Sequence, residues 1–101
     1  MSLITVDRRK QAMAAIEVVK TVFEYTMSYN DKRTSTTRRI KCVNVGAEYD
    51  AEYYNAKAAE IAAKLKAQKI EFFDCFFVEN RPGSNWQGVA LHLTVPVYFG
   101  N

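Results

Sequence analysis

The chain has 101 residues, 49% of them apolar and 13% aromatic, with a formal charge of +3. This size and composition predict one globular domain, residues 1–101, whose core needs neither disulfide nor metal, and they exclude an intrinsically disordered chain. The charge is concentrated: residues 32–41 carry five basic and no acidic side chains, residues 1–31 are balanced, and residues 42–101 carry five basic against seven acidic.

No apolar run approaches the length that crosses a bilayer, so no membrane association is expected. Met1–Val6 runs directly into Asp7, Arg8, Arg9 and Lys10, the reverse of a secretory signal, in which the apolar stretch follows the positive charge. The two cysteines, Cys42 and Cys75, lie far apart in sequence. Both are expected to be free thiols in a reducing cytoplasm.

In chain order, Asp7 to Ile16 is rich in Ala, Met and Gln and reads as a helix capped by Thr5 or Asp7, with Ala12, Met13 and Ile16 as its apolar stripe. From Val19 the pattern alternates: Val19, Thr21, Phe23, Tyr25, Met27 and Tyr29 against Lys20, Val22, Glu24, Thr26, Ser28 and Asn30. That period, in a β-branched and aromatic run, predicts a strand over 19–29. The competing reading continues the helix through Ile16, Val19, Phe23 and Met27. After the basic segment, Thr37 to Val45 is a second strand, ended by Gly46.

Asp50 is a suitable N-cap for a helix over Tyr53–Lys69. Tyr54, Ala58, Ile61 and Leu65 form its inward stripe, and Glu60 with Lys64 forms a favourable surface pair. Ile70 to Glu79 is apolar on both faces, the pattern of a central or doubly covered strand. A turn-rich segment, Asn80 to Asn85, precedes a fourth strand over Gln87–Phe99, in which Pro96 demands an edge position or an unpaired end. The expected fold class is α+β, with αββαββ order and an antiparallel sheet carrying its helices on one face.

The sequence offers little for catalysis. One histidine and two separated cysteines make no spaced metal-ligand set. The acids at Glu48, Asp50 and Glu52 are accounted for by the helix start. His92 has no visible partner to act with as a base, and the four glycines are dispersed, so no phosphate-cradling loop is present. The expectation is a protein that is not an enzyme and takes no cofactor.

Binding features are better represented. Lys32, Arg33, Arg38, Arg39 and Lys41 would form the tip of a long hairpin, suited to an acidic protein surface, to the net-acidic part of an identical neighbour, or to nucleic acid. A solvated loop is the plain alternative. No aromatic residue interrupts these charges in sequence, so the segment by itself lacks a stacking platform. Arg81 and Trp86, in and beside the second turn, are residue types favoured at interfaces.

The segment from Arg38 to Phe99 resembles the core of small phage tail-terminator or tail-completion proteins. The features concerned are the strand Ile40–Val45, the Ala-rich helix Asn55–Leu65 and the closing stretch Trp86–Phe99 with its Val95–Pro96 step. The resemblance implies a structural protein that assembles into a ring by sheet and helix contacts between subunits, in the host cytoplasm or the virion. The alternative is a small inhibitor or nucleic-acid-binding accessory protein acting through the basic tip.

Overall fold

The computed structural model of the protein describes residues 8–80 and 87–96. Its elements are α1 (Arg8–Val22), β1 (Met27–Arg33), β2 (Thr37–Val45), α2 (Ala51–Ala67), β3 (Asp74–Asn80) and β4 (Gly88–Pro96). The four strands form one antiparallel sheet in the order β1-β2-β4-β3. The α+β class and αββαββ order agree with the sequence reading.

The first helix is longer than its propensities suggest. It continues to Val22, so the strand expected over 19–29 is replaced by a helical turn, a short connection and β1. Burial decides this. Ala12, Ala15, Val19 and Phe23 recur at helical spacing and all point into the core, with Ala15 and Val19 wholly inaccessible. The Phe23 amide donates to the Val19 carbonyl at 2.8 Å, extending the helical bonding past the last assigned residue. Met13, expected on the inward stripe, is instead 69% exposed. The proposed caps Thr5 and Asp7 lie outside the described residues.

The second helix follows its sequence closely. The Tyr53 amide donates to the Asp50 carboxylate at 3.2 Å, an N-cap bond. Tyr54, Ile61 and Leu65 are buried and Ala58 packs against them. Glu60 and Lys64 meet at 3.6 Å on the exposed side.

At the C-terminal end the Ile70 amide donates to the Leu65 carbonyl at 2.9 Å, and the Lys69 amide to the Lys66 carbonyl at 3.0 Å. Lys69 sits in the left-handed region at φ 59°. This is a Schellman closure, with Ile70 and Leu65 both buried in the core cluster. A Cβ in that region costs roughly 1–2 kcal/mol, offset in part by glycine's greater unfolded-state entropy. Lys69→Gly is therefore expected to raise stability by up to about 1 kcal/mol, read as a higher denaturation midpoint. An unchanged or lower midpoint would show that Lys69 is held by its side chain.

Both helices pack on one face of the sheet. Ile40 and Cys42 of β2, Phe77 of β3, and Val89, Leu91, Leu93 and Val95 of β4 share one buried cluster with the helix stripes. Phe77 stands edge-on to Phe23 at 4.9 Å and lies 5.0 Å from Tyr54, joining both helices to the sheet.

The third strand differs from expectation in two respects. It begins at Asp74 rather than Ile70, because Ile70 is drawn into the helix closure. It is also an edge strand rather than a central one, and its exposed Phe76 shows that its apolar residues are not covered on both sides. β4 is central instead, and Pro96 is tolerated as its last residue, beyond the Asp74–Thr94 pair that ends β3's register.

Candidate functional site

Cross-strand register sorts the sheet residues into rows. On the face away from the helices, one row is Met27, Val43, Ala90 and Val78. The next is Tyr29, Lys41, His92 and Phe76, and the third is Lys32, Arg39, Thr94 and Asp74. Among the described residues no element lies over this face: Met27, Tyr29 and Phe76 are 42%, 41% and 39% exposed. Val43 and Ala90, in mid-sheet, are inaccessible.

The middle row is symmetric. Lys41 and His92 are the central residues of β2 and β4 and pair with each other, while Tyr29 and Phe76 are each the third residue of an outer strand. Each αββ half thus contributes one aromatic ring and one nitrogen base. The Lys41 ammonium lies 6.0 Å from the Tyr29 ring centre, at the outer limit of a cation–π contact. The His92 imidazole stacks on Phe76 at 5.2 Å with the rings 9° from parallel.

His92 is nearly buried, and its Nδ1 lies 3.7 Å from the Asp31 carboxylate, too far for a hydrogen bond. Burial, reinforced by Arg39 and Lys41, holds its pKa below the usual histidine range against the opposing pull of Asp31. The imidazole is therefore neutral at neutral pH, and the positive charge of the face resides on Lys32, Arg39 and Lys41.

The basic segment is not a loop tip as a whole. Lys32 and Arg33 end β1, Arg38, Arg39 and Lys41 lie in β2, and only Thr34 to Thr36 form the turn. That turn is internally bonded: the Thr34 and Thr37 hydroxyls are 2.7 Å apart, and the Thr37 amide donates to the Thr34 hydroxyl at 2.9 Å. A bulge at Asp31 places its carboxylate on the same side as Lys32, where the Arg39 Nε donates to it at 3.0 Å. Register assigns Lys32, Arg39 and Lys41 to the open face, and Arg33 and Arg38 to the other. Arg38 is half-buried and its Nε has no hydrogen-bond partner.

The five basic residues expected to bind a partner are thus held together by one hairpin, though divided between its faces. Arg81 and Trp86, the other two expected partner-binding residues, lie outside the described residues. Tyr29, Asp31, His92 and Phe76 escaped the sequence reading as members of a site. Their signal is the pairing of β2 with β4, which brings two aromatic residues from different hairpins into the row of Lys41.

Neither cysteine is prepared for nucleophilic chemistry. Both are free, and burial pushes the Cys42 thiol up to about 12 and the Cys75 thiol up to about 11. Among the described residues no group of three or more His, Cys, Asp or Glu side chains is placed to hold a metal ion. Among the same residues no helix is long and apolar enough to cross a membrane.

Comparison with known proteins finds no matching family model, no similar curated protein and no similar solved structure.

Proposed function

We propose that the chain is a non-enzymatic interaction protein that grips an acidic macromolecule with the β1–β2 hairpin and the open sheet face beside it. The observation that carries this reading is the collection of Lys32, Arg33, Arg38, Arg39 and Lys41 on two paired strands, next to a face with exposed apolar and aromatic side chains. Holding like charges together has an electrostatic cost that an acidic partner relieves.

The test is elution from an immobilised sulfated polyanion. Lys32→Glu with Arg33→Glu is the suitable variant, since both residues are exposed. Arg38 and Arg39 are poor choices, because a glutamate at 39 would face Asp31 and one at 38 would be half-buried. The double variant is expected to elute at much lower salt than Lys20→Glu with Lys66→Glu, which makes the same change in net charge on the helices. Equal elution of the two variants would remove the hairpin from the binding surface.

A second reading, ring assembly of the tail-completion kind, is favoured by a different observation. One outer strand ends in Lys32 and Arg33, while the opposite outer strand begins with Asp74, in the same cross-strand row as Lys32. Head-to-tail contact between copies would bring these unlike charges together. Light scattering of the purified chain decides it: a closed oligomer that dissociates on Lys32→Glu with Arg33→Glu supports a ring, and a monomer at all concentrations excludes self-assembly without a partner.

A further inference from the structure

We infer that the open face of the sheet is a binding surface for single-stranded nucleic acid, with unstacked bases seated on Tyr29 and Phe76 and the phosphate backbone over Lys32, Arg39 and Lys41. This rests on the reading of the hairpin as a grip for an acidic partner and identifies the partner's chemistry.

A strand of nucleic acid presents two things to a protein: a line of negative charge, and bases whose apolar faces are exposed where they are not stacked on one another. Proteins that hold it without reading sequence combine a cationic track with aromatic side chains on which bases stack. The open face has both parts, interleaved across strands. Lys41 lies between the two rings, one strand from Tyr29 and two from Phe76. At the usual inter-strand spacing, the rings are roughly 14 Å apart.

Phe76 stacks one side of its ring on His92, and the residue remains 39% exposed. Tyr29 remains 41% exposed with Lys41 near its ring. Arg39 uses Nε on Asp31, and its terminal guanidinium nitrogens extend beyond that bond. Two carboxylates share the face: Asp31 on β1 is matched by the Arg39 guanidinium at 3.0 Å, while exposed Asp74, at the β3 end of the third row, repels phosphate and sets the direction. The backbone therefore lies toward β1 and β2, with one base directed to Tyr29 and another across the sheet to Phe76.

Other occupants fit less well. A duplex has its bases stacked internally, so it would engage the cations but not the rings. A second copy centred on this row would bring Arg39 and Lys41 of both faces together, like charge against like in a contact that excludes water. Met27, at the β1 edge of the first row and 42% exposed, offers an alternative footing for a second copy, and that outcome is included in the test.

The experiment measures fluorescence anisotropy of a labelled mixed-sequence oligonucleotide, as a single strand and as the duplex with its complement, over a range of salt. Tyr29→Ala and Phe76→Ala are each expected to weaken single-strand binding about 5- to 150-fold, the equivalent of one stacked base. Duplex binding should be unchanged. Tyr29→Trp and Phe76→Trp, which keep a ring, should retain single-strand binding, and this separates loss of stacking from loss of fold. Lys32→Glu with Arg33→Glu should weaken both forms and flatten the salt dependence.

Equal affinity for single strand and duplex, or alanine variants that bind like the parent, would overturn the stacking surface. If Lys32→Glu with Arg33→Glu still abolishes binding in that case, the acidic-partner reading of the hairpin stands alone. Absence of all oligonucleotide binding, together with a change of oligomeric state in the alanine variants, would reassign the face to contact between copies.

Discussion

Replacing Gly88 with alanine is expected to destabilise the protein by roughly 3 kcal/mol or more, from overpacking and backbone strain together. Gly88 opens β4 at φ 153°, and a Cβ built there would lie 2.2 Å from the Asn44 carbonyl oxygen and 3.0 Å from the Gly46 amide nitrogen. Both neighbours are backbone, so no side chain can turn aside. Relief requires β2 and β4 to separate where Val45 pairs with Gly88, and where the Gly46 amide donates to the Gln87 carbonyl at 2.7 Å. Chemical denaturation reads the loss, and amide exchange locates it: protection at Gly46, whose amide bonds across to Gln87, should fall first. A variant within about 0.5 kcal/mol of the parent, the range of an ordinary surface change, would mean that the two strands are not closely apposed at this point.

Leu65→Ala is the second large effect, expected at roughly 2–5 kcal/mol, the usual range for such truncations in a core. Leu65 is wholly inaccessible, belongs to the cluster shared by both helices and the sheet, and its carbonyl accepts the bond that closes α2. Removing its side chain leaves a void bounded by elements that cannot all move in. Total stability of a domain is only about 5–15 kcal/mol, so the melting temperature should fall by about 10 °C or more. Met13→Ala, at an exposed position on α1, is the comparison. Equal loss from the two substitutions would show that the stripe on α2 is not the core.

Much of the architecture was legible locally. The Asp50 cap, the stripe Tyr54, Ile61 and Leu65, the strand Thr37–Val45 and the alternation of β4 are all set by neighbours within a few residues. The first helix was not, because Val19 to Val22 have side chains acceptable to either a strand or a helix. Spacing from Ala12 to Phe23 supports the helix, but its advantage comes from burial against α2 and the sheet, which sequence does not display. For the same reason Ile70–Phe73 looked like strand: an apolar run does not state which element will bury it.

The sequence by itself determined the α+β class, the order of elements, most of one helix and the presence of a cationic segment, because each depends on periodicity, capping or charge within a short span. Only the tertiary structure decided the rest. The adjacency of β2 and β4 puts the two hairpins side by side, makes edges of β1 and β3, and aligns Tyr29, Lys41, His92 and Phe76 in one row. A segment without aromatic residues in sequence thereby acquires two rings in space. Pairing between strands far apart in the chain is selected by the burial of a whole face at once, so no local window of sequence contains it.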